Sequence, residues 1–267
     1  MTDIRDILFE SISSKRFRVI ITAERSGVLS GVQDAFRCAQ ELGIQLELCK
    51  GEGEEVSHGE CFGNFLGTPK QIALAEERLI GTLAKASGIA TAARTAMQLA
   101  DGKVEIVSGS WKKMPPNIKH MVRKATVAGG AKFRICEPPM VYLDKNFIRM
   151  FGSISAALSA CENLPGSTRV VQLKDVSKTI EEETKEAVVG GAEILMVDTG
   201  NLNDIHRCIS ELKKHGWRHR VKVAFAGNVH LTDIPDLKET GIDILCIGKE
   251  IVDAQLLDLK LDVLQEE

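Results

Sequence analysis

No Cys-x-x-Cys pair occurs among the seven cysteines of this 267-residue chain, which argues against a zinc knuckle or a redox dithiol. Most of the cysteines sit in apolar runs, where cysteine behaves as a small hydrophobe. The reading is a reduced, cytoplasmic protein without disulfides. No apolar run reaches the ~18 residues of a membrane span, so no membrane partner is expected. The N-terminus opens with Asp3, Arg5 and Asp6 and has no signal-peptide core. Basic residues are neither in excess nor striped, and the net charge is -3, so a nucleic-acid surface is not expected either. Repeats and low-complexity segments are absent. His215 and His219 have a helical metal-ligand spacing, but Gly216 interrupts it and no acidic or Cys partner stands nearby.

What is present is an ordinary globular balance, 44% hydrophobic and 27% charged, in a chain long enough to bury a core. Apolar spacing predicts a helix over 2–14, a strand over Phe17–Ala23, a helix over Val32–Leu42 and a half-buried strand through Ile44, Leu46 and Leu48. Another strand over 60–67 ends at Thr68-Pro69, a good N-cap followed by a good first helical residue. A long helix then runs to Ala86, is broken at Ser87-Gly88, and resumes to about Leu99.

After Asp101-Gly102 the pattern changes to short apolar strands alternating with helices. The strands are Val104–Val107, Phe133–Cys136, Val170–Leu173, Ile194–Val197, Val221–Ala226 and Ile242–Ile247, with Met140–Leu143 as a further candidate. That alternation implies parallel β-α units, too few for a complete eight-stranded barrel. The tail alternates Leu257, Leu259, Leu261 and Val263 with charged residues, a strand that must join a sheet. The expected organisation is an α+β sandwich over 1–102 that takes back a C-terminal strand at about 255–267, and an incomplete α/β barrel over 103–254.

The run Ser87-Gly88-Ile89-Ala90-Thr91, preceded by Glu76-Glu77-Arg78 and followed by this β-α string, resembles quinolinate phosphoribosyltransferase along nearly the whole chain. The resemblance implies transfer of phosphoribose from phosphoribosyl pyrophosphate to a pyridine carboxylate or related ring acid. It also implies magnesium, and a homodimer or higher homo-oligomer. By resemblance Lys112, in Ser110-Trp111-Lys112-Lys113-Met114-Pro115, approaches the pyrophosphate, and Asp198 serves the ribose and metal. Gly227-Asn228 and Gly248-Lys249 resemble the late glycine loops that take the 5'-phosphate. Glycine permits close backbone approach there, and site residues of such folds collect at C-terminal strand ends.

The acceptor side departs from the family. An arginine position holds Trp111, a His-Arg pair reads Phe133-Arg134, and a lysine position holds Asp144 with Lys145 adjacent. An arginine lent by the partner subunit falls on Glu77 with Arg78 adjacent, and a glutamate falls on Gln172 with Lys174 at the next inward position. Two carboxylates on one ligand call for several fixed cations. Arg134, Trp111, Lys145, Arg78 and Gln172 are therefore the candidate acceptor-binding residues. Other readings stay open: Asp198 as the cap of the next helix, Gly227 as a plain turn, and Trp111 and Phe133 as core. At the level of function, the alternative is a diverged paralogue that binds or converts another phosphorylated metabolite and does not use quinolinate.

Overall fold

The structure is a computed structural model that describes residues 3–175 and 178–267. Among these residues the strands, in chain order, are β1 Phe17–Ala23, β2 Gly27–Val28, β3 Glu47–Leu48, β4 Glu55–Val56, β5 Cys61–Gly67, β6 Glu105–Val107, β7 Met140–Leu143, β8 Thr168–Leu173, β9 Ile194–Asp198, β10 Lys222–Ala226, β11 Ile244–Cys246 and β12 Leu259–Glu266. The backbone divides into two units: 3–95 with 113–130 and 251–267, and 96–112 with 131–250. The stretch 113–130, assigned from sequence to the second region, groups with the first.

In the first unit a four-stranded antiparallel sheet has the order β12-β1-β5-β3. The tail does return, pairing Leu259 with Ala23 and Leu261 with Ile21. A bulge between Arg18 and Val19 leaves Leu264 without a partner and exposed; Val263 opposite Val19 is also exposed, while Leu259 and Leu261 pack on the core. Thr68 and Gln71 form a reciprocal capping box with Pro69 in the first turn, satisfying helix-start amides. The helix Val32–Leu42 starts after Gly31, whose N–H donates to Glu52 Oε1 at 3.1 Å, while Val32 N–H donates to Oε2 at 3.0 Å.

Ser87-Gly88 does not break a helix. Gly81–Ala100 is one continuous helix, and the irregular turn lies upstream, a π-helical stretch at Glu76–Ile80. The motif is a seat for other backbone. A Cβ at Gly88 would collide with the Gln255 carbonyl and stand 3.2 Å from the Leu256 Cα. Ser87 Oγ accepts Ser30 N–H at 2.9 Å, and Thr91 Oγ1 accepts Val28 N–H at 2.9 Å. Ile89 and Ala90 are fully buried.

The second unit is a six-stranded, wholly parallel sheet in the order β6-β11-β10-β9-β8-β7. The expected strand at 133–136 is absent; only Lys132 bridges, to Val107. Pro138 and Pro139 follow, which lack donors, and the Phe133 carbonyl is taken by Trp111 Nε1–H at 2.7 Å. Met140–Leu143 supplies the sixth strand instead. Edge strands β6 and β7 do not pair with each other among the described residues. Yet the Lys112 ammonium, just past β6, stands 5.3 Å from the ring centroid of Tyr142 on β7. The sheet is an unfinished ring.

Gly88→Ala is expected to destabilise the chain by about 1–3 kcal/mol through overpacking against backbone that cannot swing aside. The urea midpoint at constant m-value measures it, and an unchanged midpoint would contradict the seating described.

Candidate active site

Strand register puts Val107, Tyr142, Val170, Ile194, Met196, Ala224 and Ile244 on one face, packed as a single apolar cluster. Two residues further along the same face, the side chains turn polar at the C-terminal ends: Gln172 on β8, Asp198 on β9 and Cys246 on β11. Side chains two apart on a strand share a face, so this rim follows from the ladder.

Asp198 is the centre of the rim. Gln172 donates from Nε2 to its Oδ2, and Gln172 Oε1 accepts the Lys145 N–H at 2.7 Å. Lys174 donates from Nζ to the Asp198 carbonyl and lies 3.5 Å from Oδ2. The helix that follows, Leu202–Lys214, is capped by Asn201, not by Asp198. Lys174 is fixed from behind: its N–H donates to Glu183 Oε2 at 2.8 Å. Burial pushes the Glu183 carboxyl up, against the pull of that bond and one from Asp175 N–H. Burial also pushes the Cys246 thiol up to about 12, aided by Asp198 and opposed by Lys112. The Tyr142 hydroxyl is pushed up by burial, then by Cys246, Asp198 and Asp144. These shifts place Lys112, Cys246, Asp198 and Tyr142 in one electrostatic neighbourhood.

The glycine positions have packing reasons of their own. Gly227 has φ +116, and a Cβ there would stand 2.6 Å from the Gly200 Cα; Gly200 N–H donates to the Ala226 carbonyl at 3.1 Å. The turns after β9 and β10 thus lie backbone on backbone. A Cβ at Gly248 would strike Ser110 Oγ, so there a side chain from the turn after β6, not its backbone, fills the space beside the turn after β11. Asn228 takes a left-handed φ of +53 beside Gly227, and Lys249 is exposed at the start of a short helix.

On the acceptor side, Trp111 and Phe133 meet edge to face at 6.0 Å, with the Arg134 guanidinium 5.0 Å over the Phe133 ring. Asp144 caps the helix Lys145–Phe151, accepting from Asn146 N–H at 2.7 Å and Phe147 N–H at 3.0 Å, which leaves the Lys145 side chain exposed. Arg78 lies in the first unit, 2.5 Å from Glu41, in an open cavity of about 430 Å³ shared with Asp34, Arg37, Cys38 and Thr82. Among the described residues no three His, Cys, Asp or Glu side chains converge on a point. His215, singled out for its spacing, instead binds Glu211 and stacks on Trp217. Cys246 was missed in the sequence as a rim residue, and Tyr142 as the ring that Lys112 faces. The signal was their place at strand ends, concealed by their apolar runs.

An unfinished parallel α/β ring with charged side chains and glycine turns on its C-terminal rim has the arrangement in which barrel-type enzymes place their sites. The chain belongs to the quinolinate phosphoribosyl transferase family: the family's N-terminal domain matches residues 6–87 and its C-terminal domain residues 89–262. A probable nicotinate-nucleotide pyrophosphorylase [carboxylating] of Methanothermobacter thermautotrophicus is 26% identical, with 97% of this chain and 93% of that protein covered. The Rattus norvegicus nicotinate-nucleotide pyrophosphorylase [carboxylating] is also 26% identical, over 93% of this chain and 82% of its own length. The solved structure of the Francisella tularensis nicotinate-nucleotide pyrophosphorylase superposes with a TM-score of 0.81 at 21% identity, covering 98% of this chain and 94% of the other. No helix among the described residues is long and apolar enough to cross a membrane.

A thiol pushed up to about 12 stays protonated at pH 8, with roughly one in ten thousand ionised. Iodoacetamide at that pH is expected to label exposed Cys49 and Cys61 and to spare Cys246 until the chain is denatured. Peptide mass spectrometry reads the result, and native labelling of Cys246 at the rate of the exposed thiols would contradict it.

Proposed function

We propose that the chain transfers phosphoribose from phosphoribosyl pyrophosphate to a pyridine carboxylate or related ring acid. The observation that carries this is the placement of Asp198, Gly227, Gly248 and Lys112 at the ends of β9, β10, β11 and β6, four consecutive neighbours in the sheet. In this reading the turns at Gly227-Asn228 and Gly248-Lys249 bind the 5'-phosphate through backbone N–H groups. Lys112 neutralises the departing pyrophosphate, and Asp198 holds the ribose hydroxyls. Lys174 and Gln172 keep that carboxylate oriented before substrate arrives, so little reorganisation is needed in the transition state. Arg134 and Lys145 supply cations for the acceptor, against the Trp111-Phe133 wall.

Asp198, the carboxylate on this rim among the described residues, suits a magnesium that takes most of its ligands from pyrophosphate and water. Such an ion would supply charge neutralisation to the leaving group. Self-association as a homodimer or higher homo-oligomer, with Arg78 lent to a second copy, belongs to the same proposal and is read by sedimentation velocity.

A second reading has its own support. Lys174 is committed to Asp198 and Gln172 is neutral, so the rim offers few cations for a second carboxylate. Under that reading the chain binds or converts another phosphorylated metabolite and ignores quinolinate.

Pyrophosphate release from phosphoribosyl pyrophosphate, assayed with quinolinate and with nicotinate, tests the first reading. Lys112→Ala is expected to lower kcat about 100- to 1,000-fold, the usual loss when one charge-stabilising donor is removed. Absence of release with every pyridine acid, together with thermal stabilisation by ribose 5-phosphate but not by quinolinate, selects the second.

A further inference from the structure

The two glycine turns assigned to phosphate are linked through His230 and Glu250, two residues not so far given a role. The ladder between β10 and β11 covers only Ala224 with Ile244 and Phe225 with Leu245. Beyond it, His230 Nδ1 lies 3.0 Å from Glu250 Oε1, and Leu231 N–H donates to Glu250 Oε2 at 3.3 Å. One carboxylate therefore grips consecutive residues of the neighbouring segment with both oxygens. On the opposite side of the ring, Asn228 Nδ2 lies 3.1 Å from His230 Nε2. The resulting chain, Asn228 to His230 to Glu250, starts in one turn and ends two residues past the glycine of the other. Its partners suit a neutral imidazole that donates from Nδ1 to Glu250 and accepts at Nε2 from the Asn228 amide. Asp233 Oδ2 anchors the segment by accepting the His230 N–H at 2.8 Å. The His230 ring and the Leu231 N–H hold the Glu250 carboxyl below the usual range.

We propose that His230 and Glu250 are positioning residues, a strut that fixes the separation of the turns at Gly227 and Gly248 and so the fit of the phosphoryl end of the substrate. The proposal deepens the phosphoribosyl reading above and rests on it for its kinetic consequence. Phosphate recognition by backbone amides depends on their spacing, since the N–H groups cannot reach independently. The strut is half exposed, with the two side chains 50% and 35% accessible, so it contributes little to global stability. Variants should therefore fold, and their defect should be local.

His230→Ala and Glu250→Ala are each expected to raise KM for phosphoribosyl pyrophosphate about tenfold, the scale of one hydrogen bond to a charged group, with kcat changed less than about threefold. Glu250→Gln keeps an acceptor for the imidazole but turns an amide NH2 toward the Leu231 N–H, so it should recover only part of the loss. The double Ala variant should lose less than the product of the two single losses, because the His230–Glu250 contact is common to both. Unchanged KM in both single variants, or a double whose loss is the product of the two, overturns the proposal. Hydrogen exchange on the ligand-free chain tests the strut without turnover. Amides of 227–231 and 247–250 should exchange faster in His230→Ala while the rest of the chain is unaltered, and identical exchange overturns it. A wild-type chain that releases no pyrophosphate sinks the phosphoribosyl reading alone, leaving the exchange result to decide the strut.

Discussion

The in-register alternation of six parallel strands is the constraint from which the site follows. Side chains two apart on each strand share the inward face, so along that face the chemistry passes from charged at one end, through an apolar middle, to polar at the other. The middle levels are apolar, with Val170, Ile194, Met196, Ala224 and Ile244 packed together. At the N-terminal end of the same face Glu105 pairs with Lys132 at 2.5 Å and with Lys222 at 2.8 Å. Toward the C-terminal end stand Gln172, level with Met196, and then Asp198, with Lys174 just past the end of β8. Ions at the first end are matched to one another and hold the ring's base. Those at the second include Lys112, which faces an aromatic ring instead of a carboxylate.

That difference frames the chemistry. Asp198 is held by a neutral amide and an ammonium, and the amide that holds it also fixes the start of the helix carrying Lys145. A carboxylate at position 172 would set two anions side by side, a pair that resists ionising together. Glutamine removes that conflict and gives Asp198 a donor in its place. The rim is consequently less anionic around Asp198, but Lys174 is spent in balancing it. The turns on the other half of the rim are glycine for reasons of close packing, Gly227 against Gly200 and Gly248 against Ser110. Close packing and anion binding make the same demand there, since both need backbone without a Cβ.

Much of the architecture was legible in the sequence. The helix Val32–Leu42, the Thr68-Pro69 helix start, the β-α alternation and the returning tail rest on local signals of periodicity and capping, and each appears in the structure. Two readings failed for reasons local signals do not contain. Phe133–Cys136 has strand-like composition, but its neighbours are two prolines, and its first carbonyl is claimed by Trp111 from across the unit. Ser87-Gly88 looked like a helix break because glycine usually weakens a helix. Here the missing side chain admits the Gln255 carbonyl, and the buried Ile89 and Ala90 carry the helix through.

The site divides the same way. Strand ends, glycine turns, Lys112 and Asp198 could be located from sequence, because a β-α repeat fixes where its C-terminal ends fall. The sequence by itself therefore determined the order of elements, the unfinished ring and the family. Which side chain meets which was decided only in three dimensions: Gln172 with Asp198, Asn201 in place of Asp198 as the helix cap, Lys112 with Tyr142 across the open edge, and His230 with Glu250 between turns. Gln172 with Asp198, Lys112 with Tyr142 and His230 with Glu250 each join residues 20 to 30 positions apart, in different β-α units. Their distances are set by sheet order and twist, which no local pattern of residues encodes.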